Sequence, residues 1–139
     1  GPIGHGWTYS AHPIGAAAGV ANLKLIDDLG LVENAGKTGA YLNAALKDAL
    51  ADHPHVAEVR GEGLMAAVEL AETKEPFGAF DPARKIGAAV SAAMASQDVI
   101  ARAMPQGDIL GFAPPLCITE AEVDRVVEVT KRAVESVLS

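Results

Sequence analysis

The segment IGAAAGVANLKLIDDL, residues 14–29, limits this chain most, because it is apolar nearly all the way round a helix. Its main polar interruptions are Asn22, Lys24 and Asp27. A helix without a wet face needs burial on several sides. Gly15 and Gly19 lie one turn apart and permit close backbone approach, although each costs a helix about 1 kcal/mol relative to Ala. Such a segment is built to be covered by another surface. Pro13 suits the first helical turn, Ser10 or His12 stands where a cap belongs, and Gly30 ends the helix.

The remaining spacing predicts a small α+β domain. A second helix is expected over Leu31–Asp52, with Val32, Ala35, Leu42, Ala45, Leu46, Ala49 and Leu50 on one stripe and HPH (53–55) as its stop. VAEVR (56–60), the turn GEG and the alternating Leu64, Ala66 and Val68 read as a hairpin. The loop TKEPFGAF (73–80) is expected to be exposed, and Asp81-Pro82 to start a helix reaching Ser96, with Ile86, Val90 and Met94 inward. VIARAM (99–104) and ILGFA (109–113) read as strands around the turn PQGD. TEAE (119–122) is a capping box before Val123, Val126, Val127, Thr130, Val134, Val137 and Leu138 at helical spacing. The expected fold is a short, four-stranded, mainly antiparallel sheet covered by helices, preceded by two helices. The expected division is residues 1–53 and residues 54–139.

The 139 residues suit one ordinary domain with a real core, and half of them are apolar. A net charge of -7 argues against bulk attraction to nucleic acid or anionic lipid. Local anion sites made of backbone N–H groups need no net positive charge and stay open. The lone Cys117 makes no intrachain disulfide, and no stretch approaches the length of a membrane span, so a cytoplasmic protein is expected. Gly1-Pro2 has two readings, a remnant of tag removal or the point where a longer protein was cut.

Several motifs dissolve into ordinary structure. GEGLMA (61–66) fits a dinucleotide fingerprint, but the preceding strand carries Glu58 and Arg60, whereas a buried parallel strand runs apolar. The hairpin turn is the better reading. His53 and His55 have no carboxylate or cysteine at ligand spacing, so a helix-ending loop is expected and no metal site. Cys117 is expected to point into the sandwich as a small hydrophobe. Arg102 has two readings: an outward residue on a two-sided strand, or a guanidinium held rigidly to grip a carboxylate by parallel hydrogen bonds.

The opening HGWTYSAHP (5–13) is dense in hydrogen-bonding groups where chain ends are usually frayed and plain. Gly6, Trp7 and Thr8 read as a turn and cap, or as backbone and hydroxyl donors to phosphate. HGWTYSAHPIGAAAGVANL, VRGEGLMAAVEL and VIARAMPQGDILGFAPPLCIT, in this order, resemble the C-terminal part of class III pyridoxal-phosphate aminotransferases, most closely the omega-aminotransferases that use pyruvate. The resemblance covers essentially the whole chain.

It implies a fold-type-I enzyme in which residues 1–53 are a cofactor-phosphate segment with interdomain helices and residues 54–139 the small domain. Gly6, Trp7 and Thr8 would reach the phosphate of pyridoxal 5'-phosphate across a homodimer interface, and Trp7 would also wall the substrate pocket. Arg102 would pair with the substrate carboxylate. In that family the Schiff-base lysine, the carboxylate facing the pyridine nitrogen and the ring-stacking aromatic all lie upstream of the opening motif. None of Lys24, Lys37, Lys47, Lys74, Lys85 and Lys131 has the matching context. The resemblance therefore implies a fragment lacking its N-terminal cofactor-binding domain, which neither transaminates nor holds the cofactor by itself. The rival reading is a stand-alone α+β module that dimerises or docks through its apolar first helix. An aminomutase or decarboxylase relative is a third.

Overall fold

A hairpin with one buried face organises most of the chain in the computed structural model, which describes residue 1 and residues 4–139; Pro2 of the Gly1-Pro2 start lies outside the described residues. Strand β1 (Val56–Glu62) turns into β2 (Met65–Leu70) through Gly63 and Leu64, with Glu62 paired to Met65. Gly63 has φ +53°, the conformation a two-residue hairpin turn requires at its first position. This turn, within GEGLMA, is a hairpin and not a phosphate loop. Strand β3 (Arg102–Ala103) and strand β4 (Asp108–Phe112) complete an antiparallel sheet in the order β1-β2-β4-β3.

Register decides the two faces. Val68 pairs with Leu110 and Ala66 with Phe112, and all four are buried. Their neighbours Ala67, Glu69, Ile109 and Gly111 project to the opposite face and are only half-buried. Three helices close the buried face: α2 (Leu31–Leu50), α3 (Ile86–Ala95) and α4 (Glu120–Leu138). Leu42, Leu46 and Leu50 of α2 join Val90, Met94, Val123, Val134 and Leu138 in one cluster with the sheet. Fully burying a side chain of this size stabilises by roughly 1.5–3 kcal/mol.

Leu42, Leu46 and Leu50 of the expected α2 stripe are buried, whereas Val32 is exposed. Gly39 is buried and faces the Gly63–Leu64 backbone so closely that no Cβ fits there. Asn43, one turn on, donates from Nδ2 to the carbonyls of Gly39 (2.9 Å) and Gly63 (3.0 Å), tying α2 to the hairpin. The expected helix over Asp81–Ser96 is instead a 3-10 turn (Pro82–Arg84), a left-handed Lys85 at φ 50°, and then α3. Asp81 does cap that turn, accepting from Ala83 N at 2.9 Å. Asp108 at the start of β4 accepts from Gly87 N (2.7 Å), so an inter-element bond stands in for a local cap on α3. The loop before it is exposed at Phe77 but buries Phe80, which the polar composition of the segment conceals. Cys117 is exposed, not inside the sandwich: it sits in a turn closed by Ile118 N donating to the Pro115 carbonyl (3.0 Å), and the inward residue there is Ile118.

By packing, the chain divides into residues Gly1–Val32 and Glu33–Ser139. The division at residue 53 read from the sequence is one of role and not of packing. In the first unit, α1 (Pro13–Asp28) is capped by His12, whose Nδ1 accepts from Gly15 N at 3.2 Å. No residue of α1 is buried; Ile14, Val20, Leu23 and Leu25 are all exposed. Among the described residues, no helix is long and apolar enough to cross a membrane.

Two measurements test this architecture. Gly39→Ala should destabilise the chain by about 1–3 kcal/mol or more through overpacking against Gly63, whereas Gly36→Ala, with open space at its Cβ, should stabilise by up to about 1 kcal/mol. Chemical denaturation of both variants checks the contrast. In the α4 capping box, the Thr119 backbone N–H and hydroxyl hold Glu122 below its ordinary 4.5. A carboxylate depressed in the folded state contributes stability above its unfolded value and loses it as pH falls through the folded one. The stability gap between wild type and Glu122→Gln should therefore be constant above about pH 5 and shrink below pH 4, read from unfolding curves at stepped pH.

Candidate functional site

The residues singled out from the sequence fall in both units. Gly6, Trp7 and Thr8 are contiguous in the first, and Arg102 belongs to the second.

In the first unit a turn is built from the motif's own side chains. Trp7 N donates to Ser10 Oγ (2.9 Å), and Ser10 N donates back to the Trp7 carbonyl (2.9 Å). This reciprocal pair folds residues 7–10 into a turn just before α1. His5 meets the Trp7 indole edge-on at 4.6 Å between ring centroids. The Trp7 amide is thus spent internally. The Gly6 amide and the Thr8 hydroxyl have no hydrogen-bond partner among the described residues, and both residues are exposed. A Cβ at Gly6 would meet nothing within 4 Å. An uncommitted N–H and hydroxyl on a turn leading into a helix are donors of the kind a phosphate takes, so these residues fit one.

In the second unit Arg102 stands exposed on the open face of the sheet, at its edge. Its place is set from beneath. Ala101 is buried, and its carbonyl accepts from Ser91 Oγ of α3 at 2.6 Å. Alternation carries Ile100, Arg102 and Met104 outward, and Ile100 is 90% exposed. Across the sheet Arg102 pairs with Gly111, which pairs with Ala67, which pairs with Arg60. One row therefore carries two guanidinium groups separated by two small residues.

The two arginines differ in their commitments. Arg60 Nη1 donates to Glu58 Oε2 (2.6 Å) and Glu69 Oε2 (2.5 Å). The Glu69 hydrogen bond, with Glu58 assisting, holds Arg60 above its ordinary value. Among the described residues Arg102 has no carboxylate within ion-pair distance. It is the arginine left available to an anion. Of its two readings from sequence, the outward position on the strand is observed, and that position serves the carboxylate-gripping reading equally.

The other sequence candidates have structural employment. His53 Nδ1 accepts from His55 N (3.2 Å), and the His55 ring bonds the Ala71 carbonyl (3.0 Å). Burial, helped by His55, lowers the His53 pKa below its ordinary value. Neither His53 nor His55 belongs to a metal-holding cluster among the described residues. Motif reading passed over Ser91, which bonds the carbonyl just before Arg102, and over Gly111 and Met104, which share its sheet face. The only trace in the sequence is a glycine isolated within an apolar strand, which signals a close approach.

Comparison with known proteins gives this geometry its context. The family described as "Aminotransferase class-III" matches residues 1–134. The diaminobutyrate–2-oxoglutarate transaminase of Halomonas elongata is 58% identical over 137 residues, covering 99% of this chain and 29% of that enzyme. The putrescine–pyruvate aminotransferase of Pseudomonas aeruginosa is 31% identical, covering 97% and 29%. An (S)-enantioselective omega-transaminase from Thermomicrobium roseum superposes with a TM-score of 0.91 at 40% identity, over 100% of this chain and 30% of that one. The chain belongs to the class III aminotransferase family. It spans about 30% of the length of these relatives.

Proposed function

We propose that this chain is the C-terminal part of a pyridoxal-phosphate aminotransferase that moves an amino group from an amine or omega-amino acid to a keto acid such as pyruvate. Arg102 carries the reading. It is an exposed guanidinium without an acidic partner among the described residues, flanked on its sheet row by the small residues Gly111 and Ala67, in a chain of this family. Bidentate pairing with a keto-acid carboxylate is the chemistry such a group performs best. Relatives named for 2-oxoglutarate and for pyruvate both fit a carboxylate-bearing acceptor.

In this reading residues 1–53 form the cofactor-phosphate segment with the interdomain helices, and residues 54–139 the small domain. The packing of α2 with the sheet is compatible, since a helix can anchor in one domain and serve at a boundary. The Gly6 amide and Thr8 hydroxyl would hold the cofactor phosphate, and Trp7 would line the substrate pocket. Bound in the intact enzyme, pyridoxal phosphate supplies the electron-withdrawing ring that lets an amino group pass between donor and acceptor. The chain's own task is to orient: Arg102 fixes the acceptor by its carboxylate, and Thr8 and Gly6 fix the phosphate. The intact protein is a cytoplasmic homodimer on this view, with α1 covered inside it. Residues 1–139 alone neither catalyse nor retain the cofactor, because a covalent hold needs a lysine supplied from elsewhere.

Arg102→Ala in the intact enzyme should lower kcat/KM for pyruvate about 100-fold, the cost of leaving the acceptor carboxylate without its charged partner. The half-reaction with a carboxylate-free amine should change by no more than about threefold. Single-turnover absorbance of each half-reaction separates them, and equal losses refute the role. Thr8→Ala should weaken cofactor retention about tenfold or more, the worth of one hydrogen bond to a charged group, measured as cofactor released on dialysis.

A further inference from the structure

We infer that Met104, seated in the notch left by Gly111, is a positioning residue for the Arg102 guanidinium and so sets the enzyme's affinity for carboxylate-bearing acceptors. The inference rests on the reading of Arg102 as the acceptor-carboxylate residue.

Arg102 and Gly111 are directly paired across β3 and β4, so their side-chain directions are the same. Side chains in such pairs stand about 5 Å apart at Cβ. Gly111 has none. The thioether of Met104 takes that place: its Sδ lies 3.2 Å, and its Cγ 3.9 Å, from where a Gly111 Cβ would be. Met104 reaches this spot because the ladder continues past β3, with Met104 N donating to the Ile109 carbonyl at 2.8 Å. Met104 leaves β3 on the same face as Arg102, two residues on, and folds back over the glycine. It thereby packs where the aliphatic stem of Arg102 would otherwise have open sheet beside it.

The surroundings make this contact the deciding one. Beyond Gly111 lies Ala67, too short to reach Arg102. Arg60, further along the row, is held by Glu58 and Glu69. A depression of about 450 Å³, lined by Arg60, Ala67, Met104, Pro105, Ile109 and Gly111, remains open on this face. Met104 and Gly111 belong to that lining, and Arg102 stands on the same face beside them. Without it the stem could lie down over the glycine, away from a substrate. A flexible thioether is adaptable enough to support the stem in more than one rotamer while still filling the notch.

Three variants of the intact enzyme test this, alongside Arg102→Ala. Gly111→Val puts a branched side chain in the notch and displaces Met104 towards the stem; it should raise KM for pyruvate about fivefold or more with kcat nearly unchanged. The amine half-reaction should stay within about twofold. Met104→Ala should also raise KM for pyruvate, by about threefold, by leaving the stem unsupported. Gly111→Val combined with Met104→Ala should recover most of the lost affinity, since valine then occupies the vacated space. If neither single variant shifts KM for pyruvate relative to the amine, or the double variant is worse than both, the inference is wrong. Met104→Ala removes only exposed-face atoms, so it decides the question even if Gly111→Val fails to fold. Should Arg102→Ala lose both half-reactions equally, the reading of Arg102 itself fails. A selective Arg102→Ala with unchanged Met104→Ala and Gly111→Val sinks this inference alone.

Discussion

Everything in the second unit depends on the pairing of β2 with β4. Val68 opposite Leu110 and Ala66 opposite Phe112 put a continuous apolar surface on one side, and a slip of one residue would exchange it for Glu69, Ile109 and Gly111. Burial of that surface under α2, α3 and α4 makes such a slip prohibitive. The same parity compels the open face: once Leu110 points inward, Gly111 must point outward, and its partner Arg102 with it. The placement on this face of Arg102, which has no acidic partner among the described residues, is thus a by-product of core packing. Ser91, bonded to the Ala101 carbonyl, fixes the backbone on the buried side of that position.

Much of this was legible from residue order, because periodicity carries it. The α2 stripe at Leu42, Leu46 and Leu50, the hairpin around Gly63 and the capping box of Thr119 and Glu122 stand where spacing predicts them. Failures occur where a distant partner overrides local chemistry. Asp81-Pro82 is a good start for a helix, yet Lys85 turns left-handed, and α3 begins afresh with Gly87 bonded to Asp108 of β4. Phe80 is buried from within a polar loop, and Cys117 is turned out by the two prolines before it. Of the candidate site, residue order offered Arg102 and the Gly6–Thr8 stretch, and the structure adds that both are exposed. The seating of Met104 over Gly111 could not be read from residue order, since only the register brings the two together.

The two units show different relations between sequence and burial. In residues 33–139 apolar residues are mostly satisfied inside one core. In residues 1–32 an apolar helix has no buried residue, and the turn before it spends the Trp7 amide and Ser10 hydroxyl on each other, while the Gly6 amide and Thr8 hydroxyl have no partner among the described residues. A helix of this composition left bare is unfavourable in water. The class III relatives extend well beyond the region matched, and this chain spans about 30% of their length; cover for α1 belongs to the function proposed above.

The free edges of the sheet have a bearing on solubility. Strand β1 exposes seven residues along one edge but studs it with Glu58, Arg60 and Glu62; β3 offers only two paired residues at the other. Charge on one margin and brevity on the other are the means by which natural sheets discourage a stray strand from adding on. Ala67, Ile109 and Met104 on the outer face stand among charged side chains, and growth into fibrils is discouraged at both hydrogen-bonding rims.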